Sequence, residues 1–169
     1  MNYSNIVYFS TVNGKGVRTS LFVSGCDLYC NGCFNKSAWD YGSGNELTDE
    51  VLETILSSID KEYIDGLSIL GGEPLATNNL DGVLHVVKEF RKKFGNTKNI
   101  WIWSGRELDD ILKDEKRKEI VSLCDVIVDG RFVAELADDS LYFRGSSNQI
   151  IWENKYDGTF EKSELNKLK

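Results

Sequence analysis

Short apolar runs alternate with helix-period patterns along this chain, and a polar, glycine-bearing loop follows most of the runs. Val17 to Val23, Leu67 to Leu70, Ile100 to Trp103 and Val126 to Val128 are rich in β-branched and aromatic residues and read as strands. Leu141 to Phe143 and Ile150 to Trp152 are weaker strand candidates, and Ile6 to Phe9 reads as an edge strand. Between them, Val51, Leu52, Ile55, Leu56 and Ile59 share one helical face behind Asp49 and Glu50, where the helix dipole favours acids. A second helix carries Leu80, Val83, Leu84, Val87 and Phe94, with Asn78 and Asn79 as cap candidates and Gly95 past its end. A third opens near Glu107 and runs into the charged stretch Lys113 to Glu119, a solvated face.

Strand, helix, strand in that order is the pattern of parallel βαβ units. The expected class is therefore α/β: a partial, open (β/α) barrel of mainly parallel strands, because a full eight-unit barrel takes about 250 residues and this chain has 169. In such a sheet the loops after the strands emerge on one side, where sites are built. Five loops are expected to converge there: Ser24-Gly25-Cys26, Gly71-Gly72-Glu73-Pro74, Ser104-Gly105-Arg106, Asp129-Gly130-Arg131 and Arg144 to Asn148.

Composition narrows the function. A net charge of −7 argues against nucleic acid, whose phosphates demand a surplus of Lys and Arg. No apolar run approaches the ~20 residues that span a bilayer, and the start, Met1 to Asn5, lacks the features of a signal peptide. A cytoplasmic protein with reduced thiols is expected, so the four cysteines read as ligands or buried apolar residues rather than disulfides.

Cys26, Cys30 and Cys33 form C-x3-C-x2-C directly after the strand read at Val17 to Val23. Thiolates suit iron–sulfur clusters and zinc. An electron-carrying cubane takes four cysteines, whereas three leave one iron with an open position for chemistry. The competing reading is zinc, with Cys124 or His85 as fourth ligand; there is no second C-x2-C knuckle to support it. Cys124 itself reads as a small buried residue at a strand start. In Gly71-Gly72-Glu73-Pro74 two glycines let a ligand lie against the backbone, Glu73 offers an acceptor suited to an ammonium group, and Pro74 stiffens the exit.

These two motifs together resemble the radical S-adenosylmethionine superfamily. Within it the chain resembles the activating proteins of anaerobic (class III) ribonucleoside-triphosphate reductases, from about Asn2 to Trp152. The likeness is carried by Val12-Asn13-Gly14 with Gly16 and Arg18, by Leu21 to Cys26, by Gly32 to Ser37 with Trp39, by Ile100 to Gly105, by Val126 to Phe132 and by Phe143 to Gln149. It implies one domain, 1–152, followed by a charged C-terminal tail, 153–169.

The resemblance further implies a [4Fe-4S] cluster held by Cys26, Cys30 and Cys33, and S-adenosylmethionine bordered by Gly32, Cys33, Phe34, Gly71, Gly72 and Glu73. Ser104, Asp129 and Arg144 are weaker site candidates, each equally suited to capping a helix or pinning a loop. For Trp39, Trp101 and Trp103 core packing is favoured. The implied reaction is reductive cleavage of S-adenosylmethionine to a 5′-deoxyadenosyl radical, which takes hydrogen from a glycine Cα of the reductase. The implied partners are that large subunit and a one-electron donor such as a flavodoxin. A radical enzyme acting on a small molecule, or a non-catalytic iron–sulfur or zinc module, are the alternatives. The chain departs from the family pattern at Lys15 (often Pro), at Glu73 (often Asp) and at Ser104-Gly105-Arg106 (often Thr-Gly-Tyr).

Overall fold

A computed structural model describes residues 1–169. Eight strands form one open sheet: β1 (Asn2–Ser10), β2 (Arg18–Val23), β3 (Asn45–Glu46), β4 (Gly66–Gly71), β5 (Asn99–Trp103), β6 (Val126–Asp129), β7 (Ile150–Asn154) and β8 (Phe160–Lys162). Their spatial order is β3-β1-β2-β4-β5-β6-β7-β8. Four helices accompany them: α1 (Asp49–Ile59), α2 (Leu80–Phe94), α3 (Leu108–Ile111) and α4 (Glu115–Ser122).

The expected parallel units occupy the centre, where β2, β4, β5 and β6 pair in parallel. The flanks differ from expectation. β1–β2, β1–β3, β6–β7 and β7–β8 are antiparallel, so the sheet is mixed rather than mainly parallel; it is open, as expected. For β1–β2 and β7–β8 the reason lies in the connections. The links 11–17 and 155–159 contain no helix, and a parallel neighbour requires a crossover of a dozen or more residues. Ile6 to Phe9 belongs to a nine-residue strand of which β3 covers only Asn2 and Tyr3, so this stretch has β2 on one side alone and lies at the sheet edge, as expected. Leu141 to Phe143 is no strand; it sits in the long loop before β7. The tail beyond Glu153 completes β7, adds β8 and ends in a short 3-10 turn, Glu164–Lys167.

Alternation along the strands sends side chains to two faces. Leu21, Val23, Leu67, Ile69, Ile100, Ile102 and Ile127 join helix residues such as Ile55, Val87, Phe90 and Ile120 in the main core. Burial there follows the amphipathic stripes read above, and Thr48 caps α1 by accepting from Val51 N–H. The opposite face carries a smaller cluster of Trp101, Val126, Val128 and Ile151, against which Trp103, Phe143 and Leu165 pack. With the helices confined to one face, the other is free to build a cavity at the strand ends. No helix is long and apolar enough to cross a membrane.

At the N-terminal ends of the central strands, Arg18 is fully buried. It donates to Ser68 Oγ (2.7 Å), Asn99 Oδ1 (2.6 Å) and the carbonyls of Lys15, Leu67 and Asn99. Its charge also lies 5.6 Å from the Trp101 ring centroid. Burial lowers its pKa to about 10, opposed by Asp65 and Asp125.

Candidate cysteine-lined active site

At the other end of the strands a cavity of about 460 Å³ opens. That is within the ~300–1,000 Å³ typical of small-molecule sites. Its walls come from Phe22, Leu70 and Trp103 on the sheet and from all five loops identified in the sequence. The fifth reaches the same rim by a different route: β7 is antiparallel, so the loop that precedes it lies beside the loops that follow β2, β4, β5 and β6. A larger cavity, about 900 Å³, lies toward the strand N-terminal ends between Lys15, Asp65, Asn99 and the C-terminal segment. It contains none of the cysteines, so volume alone does not locate the chemistry.

The cavity brings together Cys26, Cys30, Cys33, Phe34, Gly71, Gly72, Glu73, Ser104 and Arg144. Gly32 and Asp129 are not among its lining residues. Gly32 takes a positive φ of 77° and faces Phe132 and Ala134. Asp129 accepts the backbone N–H of Leu108 at 2.7 Å, capping α3, and burial raises its pKa. Arg144 pins its own loop to the C-terminal segment, donating to the carbonyls of Gln149 and Asn166.

The cysteine loop carries no helix or strand between Val23 and Lys36. Its first turn is stitched down: Gly25 N–H donates to Ala38 O at 2.7 Å and Cys26 N–H to Trp39 O at 3.2 Å. Cys26 is buried, while Cys30 and Cys33 are partly exposed. Burial pushes the Cys26 thiol pKa up, against backbone N–H groups of Leu28 and Tyr29 that pull it down. Phe34 stands 91% exposed at the mouth, its ring edge-on to Phe132 with centroids 6.2 Å apart.

The glycines of the second motif are demanded by the protein's own backbone. Gly71 has φ +112°, and a Cβ there would lie 2.6 Å from Val23 N and O. A Cβ on Gly72 would strike the carbonyl oxygen of Gly25. The ends of β2 and β4 cross closely here, joined by Gly72 N–H to Val23 O and Glu73 N–H to Gly25 O, both 2.8 Å. Asn79 strengthens the crossing by donating to the carbonyls of Ser24 and Glu73, each at 3.0 Å. That is a different role from the helix cap expected of it, since its side chain makes no cap bond.

The Glu73 carboxylate is 1% exposed and occupied by protein donors. It accepts from Leu75 N–H (2.9 Å), Ser104 hydroxyl (2.8 Å) and Gly105 N–H (2.7 Å). Burial raises its pKa; these donors and Arg106 act the other way. Ser104 thus enters the site through Glu73. Trp39 and Trp103 also line the cavity, where packing in the core was expected. Trp103 Nε1–H donates to Phe143 O at 2.9 Å, whereas Trp101 is packed in the smaller cluster as expected.

All four cysteines are free. No three His, Cys, Asp or Glu side chains are drawn together as a finished ligand group; the three loop thiols share a cavity rather than a coordination sphere. Their chemistry fits an iron–sulfur cluster: three soft donors on one irregular loop, with no fourth cysteine in the cavity. Cys124 is fully buried in the helix-side core, with Sγ 3.4 Å from Ile120 O, and burial pushes its thiol pKa far up. His85 is on the surface beside Asp49.

Comparison with known proteins agrees with this donor set. Residues 12–152 match a family described as a 4Fe-4S single cluster domain. The chain is 40% identical over 153 residues to the anaerobic ribonucleoside-triphosphate reductase-activating protein of Escherichia coli K12, covering 89% of this chain and 97% of that one. The protein of the same name from Vibrio cholerae is 39% identical over the same shares. That from enterobacteria phage T4 is 38% identical over 154 residues, 91% of this chain and 95% of its own.

Proposed function

The chain belongs to the family of anaerobic ribonucleoside-triphosphate reductase-activating proteins, and we propose that it activates such a reductase in the cytoplasm by radical S-adenosylmethionine chemistry. The observation that carries the reading is a single cavity lined by three cysteines and by the Gly71-Gly72 backbone, with the fourth cysteine buried on the other face of the sheet.

A [4Fe-4S] cluster bound there and fed by a donor such as a flavodoxin would supply the electron that cleaves S-adenosylmethionine to methionine and a 5′-deoxyadenosyl radical, which would take hydrogen from a glycine Cα of the large reductase subunit. Cys26, Cys30 and Cys33 would hold three of its irons, and the cavity offers no fourth cysteine for the last. Gly71 and Gly72 let the ends of β2 and β4 close on each other, and the backbone they leave lining the cavity is where the methionine moiety would lie. Glu73 acts indirectly: its carboxylate ties the β4 loop to Ser104 and Gly105 and so fixes the shape of the pocket. Phe34, exposed at the mouth, and the rings of Trp39 and Trp103 provide apolar surface for the nucleoside and keep water from it. The protein thus supplies orientation and exclusion while the cofactor supplies the chemistry.

The test is anaerobic reconstitution with iron and sulfide, reduction, and assay for 5′-deoxyadenosine and methionine, then for a glycyl radical on added reductase. Both products are expected from the intact chain and neither from the Cys26→Ala, Cys30→Ala or Cys33→Ala variants. Zinc binding without cleavage would leave a structural metal module instead.

A further inference from the structure

Arg106 stands where the family pattern often has an aromatic, and its side chain crosses from the loop after β5 to the cysteine loop. Nη2 lies 2.6 Å from Asp27 Oδ2, with Arg106 only 17% exposed. The guanidinium is steadied in turn by the buried Glu73 carboxylate, 3.8 Å from Nη1. Two further contacts hold the next residue. Arg131, from the loop after β6, donates from Nη1 to Leu28 O at 3.1 Å. The Leu28 side chain also packs directly on Gly105, filling the space a Cβ would need.

Asp27 and Leu28 are the residues that follow Cys26 in the gap before Cys30. The other half of the loop is held differently. Between Cys30 and Phe34 the one backbone hydrogen bond, Cys33 N–H to Cys30 O at 3.2 Å, stays within the loop. One end of the cysteine loop is therefore fastened to β5 and β6, and the other is free to adjust.

From this asymmetry we infer that Arg106 is a positioning residue, clasping Asp27 so that the Cys26 end of the loop is set before iron arrives while Cys30 and Cys33 close around the cluster. Fully exposed ion pairs contribute little, but here the guanidinium is sheltered on the cavity rim while Asp27 is 38% exposed, and that acid adjoins a ligand residue. The inference rests on the reading of this loop as the cluster loop.

Hydrogen exchange on the full-length, cluster-free chain tests it, with the Arg106→Gln and Asp27→Asn variants and the charge swap Arg106→Asp with Asp27→Arg. Each single variant is expected to speed amide exchange across residues 26–30 about fivefold, leaving β4 and β5 unchanged. The swap is expected to restore protection, and Arg106→Lys to keep part of it. Iron–sulfur uptake, followed by visible absorption, should slow in the single variants and recover in the swap. Unchanged exchange in both single variants, or a swap that exchanges as fast as they do, overturns the clasp. Asp27 is partly exposed, so Asp27→Asn keeps the test valid should Arg106→Gln fold poorly. If exchange responds as expected but no variant nor the parent takes up iron, the clasp stands and the cluster reading fails.

Discussion

The two ends of the central strands are built on opposite terms. At the N-terminal end Arg18 has an acceptor for each donor group, and Cys124 is sealed under α4 at the start of β6. At the C-terminal end the loop thiols of Cys30 and Cys33 are partly exposed and the Phe34 ring stands in solvent. The first end is closed in its hydrogen bonding, although the larger cavity lies beside it; the second is arranged for something to be added. A sheet that is rigid below can hold an adjustable rim above without losing register.

Four substitutions break or sharpen this contrast. The largest effect is expected at the closed end. Arg18→Ala removes donors from Ser68, Asn99 and the Leu67 carbonyl together, and should cost about 3 kcal/mol or more in a urea titration. A loss near zero would mean the closed end is not what holds the sheet. Next, Cys124→Ala should cost about 1–2 kcal/mol through the cavity it leaves, while reconstituted iron–sulfur absorption stays intact. Lost absorption would move Cys124 into the site.

The third substitution concerns Glu73, buried at the open end. Its folded pKa lies above the ordinary value of 4.5 because burial disfavours the carboxylate. The folded state therefore keeps that proton to higher pH than the unfolded chain does. Its contribution is fully present below about pH 4.5 and is lost as pH rises through the raised pKa. Urea midpoints should fall over that interval in the parent relative to Glu73→Gln, which lacks the proton. Parallel pH profiles would show that the carboxylate is not desolvated in solution. Smallest is Cys30→Ala: the cluster-free chain should change by under ~0.5 kcal/mol, although its capacity for a [4Fe-4S] cluster is abolished. A large loss of stability would make the rim structural.

The same contrast explains what was legible in the sequence. β4, β5 and β6 were readable because burial on both faces leaves largely apolar runs, β2 from its apolar half Leu21 to Val23, and α1 and α2 because one buried stripe repeats at helical spacing. β3 and β8 escaped notice: two and three residues are too short to show a period. Tyr142 and Phe143 suggested a strand, yet Phe143 is apolar because it packs edge-on to Trp101 from a loop. In the site, the cysteine spacing and the double glycine were plain from the sequence. The destination of Glu73 was not, since its partners Ser104 and Gly105 lie some thirty residues on and meet it only through the β4–β5 register. Asp27 and Arg106, 79 positions apart, were hidden in the same way.

The placement of the tryptophans gives the chain an optical readout of its own. Trp39 and Trp103 line the cavity, and Trp101 stacks behind Trp103 with ring centroids 5.7 Å apart. Trp152, the remaining one, packs with the helix-side core across the sheet. Excitation absorbed by Trp101 passes readily to its stacked neighbour, so three of the four indoles report on one chamber and the fourth serves as reference. Filling that chamber with a coloured cluster should darken and shift the intrinsic emission, letting its loading and loss be followed in real time, without a label, inside an anaerobic cuvette.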